Sequence, residues 1–168
     1  PDPERFGRAL TLQMQYFGAT FGEIVDARVV MEPDIVAVAA LARNEHDLAA
    51  MESHATRLSQ AIPDTESSRI AYSDFYDALA EATHNAVLRL ICVVIRRIGD
   101  EFHREVVMRP RGMRRTVELH EEMFAAIKDG DADAARAISS TYLQEHRRSI
   151  ESLTPYLLER TVTWSIGP

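Results

Sequence analysis

The chain has 168 residues, a formal net charge of −7 and one cysteine. A domain of this length buries roughly 68–70% of the surface of its unfolded chain, so a sizeable core is available. The acidic charge argues against a duplex-DNA-binding domain, because contacts to phosphates require a basic surface. No apolar run approaches the roughly 18–20 residues that span a bilayer, and no signal segment opens the chain.

Two local features of the sequence, a lone thiol and a basic run, add to what the composition indicates. Cys92 lies in the apolar stretch LRLICVVI, which is typical of a small buried residue in a reducing compartment. We therefore expect a cytoplasmic protein with no membrane attachment. The basic run RPRGMRR, residues 109–115, is predicted to be a solvated turn between helices, because no aromatic residues interleave with its charges.

Apolar residues recur at helical spacing along nearly the whole chain, and no alternating strand pattern rises above this signal. The spacing predicts seven helices, over about residues 3–17, 20–43, 45–61, 66–83, 85–107, 113–128 and 131–160. The links between them are short, which favours antiparallel neighbours. We therefore expect an all-α protein, an antiparallel bundle of six to seven helices.

Residues that favour helix ends mark several of these boundaries. Thr20, with a glutamate three residues later, has the spacing of a capping box, and Asn85 is a predicted N-cap. Gly130 is expected to end the sixth helix, and Asp131 to begin the seventh. Pro33 lies inside the second predicted helix, where its missing N–H should kink or split that helix.

Four residues with polar tips lie on helix faces that should point into the bundle. They are Tyr72, Tyr76, His120 and Tyr142. Taken singly, each is typical of a core residue whose polar group is satisfied. Together they come from three predicted helices, and ligand sites in bundles are built from such convergent side chains.

Arg28 is a fifth candidate, in the middle of the second predicted helix. Glu32 follows it by four residues, so one interpretation is an ion pair within the helix. The other is a guanidinium clamp for the carboxylate of a ligand. The residues alone leave both open.

Motifs of common enzymes are missing from the sequence. His54, His84, His103 and His146 are scattered, and none has a metal-ligand partner at i+4. Besides a ligand-sensing domain, two classes stay open: a small helical enzyme with His120 as its acid–base group, and an inert dimerisation module with a filled core. We expect no catalysis, because no nucleophile and no carboxylate partner for His120 are evident.

Three segments of the chain carry a resemblance to a known family. They are FGEIVDARVVMEPDIVAVAALA, FYDALAEATHNAVL and HEEMFAAIKDGDADAARAISSTYL, in this order across residues 21–143. They resemble the patterns E-x-R-x-x-x-E-x-x-x-x-x-x-A-A, F-H-x-x-L-A-x-A-x-x-N-x-x-L and H-x-x-I-x-x-A-I-x-x-G-D-x-x-A-A. These patterns are those of the FadR C-terminal-domain (FCD) family of GntR-type transcription regulators.

The resemblance implies the effector-sensing half of a GntR-type (FadR subfamily) regulator, usually a dimer. A small organic effector bound in the bundle core would control operator binding by an N-terminal winged helix-turn-helix domain, which this chain lacks. We accordingly expect a linker-proximal helix in residues 1–20, the effector-binding domain in residues 21–160 and a tail in residues 161–168. The expected partners are the effector, a second copy of the chain and, only through the missing domain, operator DNA.

Members of that family often hold a divalent metal with one Asp and three His. Position by position, these ligands fall on Tyr72, Tyr76, His120 and Tyr142, so a single imidazole is retained. A neutral phenol with a pKa of about 10 is a poor ligand for Zn, Ni or Mn at neutral pH. We therefore predict no metal and no other cofactor, and a pocket of three phenols and one imidazole in which Arg28 would favour an acid.

Overall fold

The structure, a computed structural model, describes residues 3–60 and 65–162. These ranges contain seven α-helices: α1 (Pro3–Tyr16), α2 (Phe21–Ala42), α3 (Glu45–Gln60), α4 (Thr65–Ala82), α5 (Ala86–His103), α6 (Pro110–Asp129) and α7 (Ala132–Leu153). A 3-10 turn, Pro155–Leu157, follows α7. The predicted all-α bundle is confirmed, while the end of the third predicted helix and most of the predicted tail lie outside the described residues. Within the described ranges, no helix combines the length and apolar character needed to cross a membrane.

Helix α2 runs without a break through Pro33, so of the two predicted outcomes, a kink or a split, the split is wrong. Proline removes one N–H donor from the helical ladder. However, residues on both sides of it are buried, and α2 contacts α4, α5, α6 and α7. Most helical stability in proteins comes from such packing, which here holds α2 as the central helix of the bundle.

Three predicted boundaries need correction. Helix α6 begins at Pro110, so the basic run of residues 109–115 lies mostly in a helix and not in a turn. Proline suits the first helical position, where its missing N–H needs no partner. Helix α5 ends at His103 and α7 at Leu153, both earlier than predicted. Pro155 explains the end of α7, because it restricts the residue before it to non-helical backbone angles.

The predicted helix caps are confirmed. Thr20 accepts a hydrogen bond from the backbone of Glu23, whose side chain accepts one from the Thr20 N–H. The Asn85 side chain accepts from two backbone N–H groups of the first turn of α5. Gly130 ends α6 in the left-handed conformation, with φ of 76°, and Asp131 caps α7 through its side chain. These local bonds satisfy N–H and C=O groups that helix ends leave without partners.

In the described part of the chain two apolar clusters form the core, and α2 passes through both. The larger lies among α2, α3, α4, α6 and α7, and includes Val36, Phe75 and Met123. The smaller joins the start of α2 to α5 and to the chain after α7, and there Phe21 and Phe102 stack with ring centroids 4.5 Å apart. Residues 26–34 of α2 therefore lie between the two clusters, and this is where the polar site is found.

The beginning of α2 is held by the chain that follows α7. The N–H groups of Phe21 and Gly22 donate to the carbonyl oxygens of Arg160 and Leu158, each at 2.9 Å. Gly22 permits this close approach, since a Cβ at its position would lie 2.8 Å from the Leu158 oxygen.

We predict opposite effects on stability for alanine at two helical glycines. Gly22→Ala should lower the free energy of unfolding by about 1–3 kcal/mol, because the added methyl meets backbone that cannot rotate away. Gly112→Ala, the matched control, meets only the tip of the Met108 side chain and should raise stability by about 0.4–1 kcal/mol. Urea denaturation measures both changes, and equal stability of the two variants would contradict the proposed contact.

Candidate functional site

A buried arginine lies at the centre of the polar site. Arg28 on α2 is 1% exposed, and its Nε donates to Glu32 Oε1 at 2.6 Å, while Nη2 lies 3.2 Å from Glu32 Oε2. The ion-pair interpretation of Arg28 is therefore confirmed. Burial lowers the pKa of Arg28, but Glu32, Tyr72 and Tyr142 together outweigh burial, so its pKa lies well above the ordinary value. The guanidinium stays charged and is neutralised within its own helix.

Arg28 also reaches two side chains on other helices. Its Nη2 donates to Tyr72 Oη on α4 at 2.6 Å, and its Nη1 lies 3.4 Å from His103 Nε2 at the end of α5. A guanidinium has only donors, so His103 Nε2 acts here as the acceptor. Arg28 thus fixes the orientation of a phenol and an imidazole from two helices that pack against α2.

The four inward-facing residues predicted from the sequence lie together beside Arg28. We call Tyr72, Tyr76, His120 and Tyr142 the tyrosine cluster. Ring centroids are 4.8 Å apart for Tyr72 and Tyr76, 5.3 Å for Tyr72 and His120, and 4.7 Å for His120 and Tyr142. All five predicted site residues are therefore brought together by α2, α4, α6 and α7; that they bind a ligand stays a prediction.

His120 has one nitrogen engaged and one without a partner. Its Nδ1 lies 2.6 Å from the carbonyl oxygen of Thr116, one turn earlier on α6. A carbonyl only accepts, so Nδ1 carries the proton, and in the neutral ring Nε2 is an acceptor. Burial lowers the pKa of His120 to about 4, so this tautomer predominates at neutral pH. Among the described residues neither His120 Nε2 nor the Tyr76 hydroxyl has a hydrogen-bond partner.

Two histidines that the sequence analysis set aside belong to the same site. His146 on α7 is 7% exposed, and its ring stacks on Tyr142 with centroids 5.9 Å apart. The ring of His103 lies 5.6 Å from that of His146. Neither nitrogen of His146 finds a partner in the described part of the chain, and burial lowers its pKa to about 3. The sequence could have indicated His146 as a site residue, because it lies one turn after Tyr142 on the same helix face. No such spacing pointed to His103.

A cavity of about 150 Å³ adjoins the tyrosine cluster. We call it the main cavity. Its polar lining residues are Ser68, Arg69, Tyr72, His103, Thr116, Tyr142 and His146, and its apolar ones are Leu58, Val106, Met108, Met113 and Val117. Arg28, Tyr76 and His120 lie behind this lining. The arginine predicted to clamp a ligand therefore supports the cavity floor, and Arg69 is the guanidinium that lines it.

The described lining of the main cavity includes one guanidinium, Arg69, and no carboxylate, so we call this side the positive floor. Arg28, Arg69 and Arg96 each also pair with a carboxylate that lies outside the lining. Burial lowers the pKa of His103 well below its usual value, and the charges of Arg28, Arg69 and Arg96 lower it further. Three neutral imidazoles thus lie near buried or half-buried arginines. Such an environment favours an anion over a cation in the main cavity.

The tyrosine cluster does not fit the divalent metal that the family resemblance implies. It has one imidazole and three phenols, and burial raises the pKa of both Tyr76 and Tyr142 well above its ordinary value. Protonated phenols are poor metal ligands, and metals of this kind are held by imidazole, thiolate or carboxylate. Across the described residues, no three such groups are placed to hold a metal ion together, including the imidazoles of His103, His120 and His146.

Comparison with known proteins agrees with this architecture. The FCD domain profile matches residues 23–145. A galactonate operon transcriptional repressor of Escherichia coli (strain K12) is 26% identical over 144 residues, which make up 85% of this chain and 63% of the repressor. The chain thus spans less than two thirds of the length of that relative.

A solved structure described as Streptococcus agalactiae GntR has the same fold. The TM-score is 0.66 at 19% sequence identity, and the match covers 77% of this chain and 58% of that one. At this identity the likeness concerns the fold alone. The profile match extends from the first turn of α2 into α7 and contains all five predicted site residues. The chain belongs to the FCD domain family.

Proposed function

We propose that this chain is the effector-sensing domain of a GntR-type transcription regulator, and that it binds a small organic acid in the main cavity. The observation that carries the proposal is a cavity whose buried floor holds imidazole nitrogens without partners beside a fixed guanidinium. Buried polar groups are nearly always hydrogen-bonded in folded proteins, so a floor of this kind is suited to a ligand. Membership of the FCD domain family supports the regulatory role.

The size and lining of the main cavity suggest the class of ligand. An apolar cavity of about 150 Å³ in another protein accommodates benzene, so a ligand about the size of one ring fits here. Leu58, Met113 and Val117 suit an apolar body, and the positive floor suits a carboxylate. The repressor related to this chain is named for galactonate, a polyhydroxylated acid. A largely apolar wall favours a less hydroxylated acid for this chain.

The lining also suggests how binding would change the domain. It draws residues from α3, α4, α5, α6, α7 and the α5–α6 connection, so a ligand would contact parts of the bundle that otherwise pack separately. A ligand shifts a conformational equilibrium only by binding one state better than the other. We propose that the ligand favours one arrangement of a homodimer, which a DNA-binding domain transmits to the operator.

The structure offers less support for the two other classes. His120 as an acid–base group has no carboxylate among its described hydrogen-bond partners, since Nδ1 faces a backbone carbonyl and Glu32 is engaged by Arg28. An inert module would have a filled core, whereas a cavity of about 150 Å³ adjoins the tyrosine cluster here. Sensing of a ligand is the function that this arrangement supports best.

We predict that carboxylic acids with small apolar bodies bind and stabilise the protein. A thermal-shift screen would include hexanoate, phenylacetate and benzoate, each beside the amide of the same shape. The acid should bind better than the amide because of the positive floor. At a ligand concentration of 100 Kd the stabilisation is about 2.7 kcal/mol, and calorimetry would then give Kd.

A cavity-filling variant makes this test specific to the site. Val117→Trp should abolish the shift, because the indole occupies the main cavity. The matched control is Val87→Trp on α5, where the native side chain is 65% exposed and lies outside the lining. If no acid in a broad screen binds, or if Val117→Trp binds as tightly as the control, the proposed function is wrong.

We further predict that the protein binds no Zn, Ni or Mn in stoichiometric amount. The triple variant Tyr72→Asp, Tyr76→His, Tyr142→His places one carboxylate and two imidazoles beside His120 and should gain metal binding. Metal content would be measured on tag-free protein purified without chelators. Stoichiometric metal in the unaltered protein would contradict the prediction whatever the variant shows.

A further inference from the structure

The least satisfied side chain of the site is His146. It is 7% exposed, it lines the main cavity, and neither of its nitrogens has a hydrogen-bond partner among the described residues. Two other polar groups of the same lining are engaged by Arg28. Tyr72 Oη accepts from Arg28 at 2.6 Å, and His103 Nε2 faces another nitrogen of the same guanidinium at 3.4 Å. His146 therefore requires partners from whatever occupies the cavity.

The hydrogen-bonding capacity of His146 restricts what those partners are. A neutral imidazole has one N–H donor and one acceptor nitrogen, on different edges of the ring. A carboxylate offers acceptors only, so a simple acid can satisfy the N–H but leaves the acceptor nitrogen buried without a partner. Leaving a buried polar group unsatisfied weakens binding, so a ligand that also brings a donor is preferred.

The charges around the floor select between the two common donors, a hydroxyl and an ammonium. The described lining contains Arg69 and five apolar residues but no carboxylate, so an ammonium bound there would lack a counter-charge. A second cation would be repelled there, whereas a neutral hydroxyl would not. The donor that fits is therefore an O–H group.

We propose that His146 contacts the effector directly and that the effector is a hydroxy acid, whose hydroxyl group donates to this imidazole. This inference rests on the proposed function, since it assigns the ligand class for the same cavity. His146 becomes the specificity-determining residue of the site. The Arg28–Glu32 pair holds His103 and Tyr72 in place around it and meets no ligand atom itself.

The experiment compares acids that differ only by one hydroxyl group. Calorimetry would measure the Kd of hexanoate against its 2-, 3- and 6-hydroxy derivatives, and of phenylacetate against its three ring-hydroxylated isomers. Because the position of the hydroxyl decides whether it reaches His146, at least one derivative should bind about ten-fold tighter than its parent or better.

Variants at the same position separate recognition from structure. His146→Phe keeps a ring against Tyr142 but removes both nitrogens, so the preference for the hydroxylated acid should disappear while the parent acid still binds. His146→Gln supplies a donor and an acceptor and should restore part of the preference. His46→Phe is the matched control, because His46 is exposed on α3 and should leave the preference unchanged.

Each outcome separates this inference from the proposed function. A preference for the parent acids, or a preference that survives in His146→Phe, overturns the assignment of His146. So does binding of other acids in the screen while every hexanoate and phenylacetate derivative fails. If no carboxylic acid of any kind binds, the proposed function itself has failed.

Discussion

The buried ion pair between Arg28 and Glu32 is the constraint on which the site depends. A guanidinium removed from water is tolerated only when it is neutralised and its donors are satisfied. Glu32, one turn along α2, supplies the charge, and Tyr72 and His103 accept hydrogen bonds from the remaining donors. Breaking this pair would leave a charge buried between two apolar clusters, so it secures α4 and α5 against α2.

Tyrosine at three of the four positions where the family resemblance implies metal ligands changes the chemistry available at the centre of this bundle. Burial raises the pKa of the Tyr76 and Tyr142 phenols, so these two groups bring no charge, and burial also holds His120 neutral. Recognition must then come from hydrogen bonds and from the surrounding arginines, not from coordination to an ion. The unpartnered nitrogens of His146, which lines the main cavity, are the groups through which the proposed sensing would act.

Local sequence signals predicted the fold well where a boundary depends on neighbouring residues. The caps at Thr20, Asn85 and Asp131 are each formed by a side chain that reaches backbone within three residues. The predicted split at Pro33 does not occur, because contacts from four other helices decide that α2 continues. The prediction also failed after α7, where the helical pattern extends past a proline that the backbone cannot accommodate in a helix.

Sequence by itself determined the helices, the family and the four inward-facing residues of the tyrosine cluster, and it offered the Arg28–Glu32 pair as one of two interpretations. These features follow from motifs within one segment or from spacings within one helix. Residues at helical spacing lie on the same face of their helix, so the sequence is enough to group them. Only the tertiary structure decided that His103 and His146 join the site, that a cavity exists, and that Arg28 lies behind it while Arg69 lines it. Those features depend on how distant helices pack, and the distances between their side chains have no counterpart in sequence spacing.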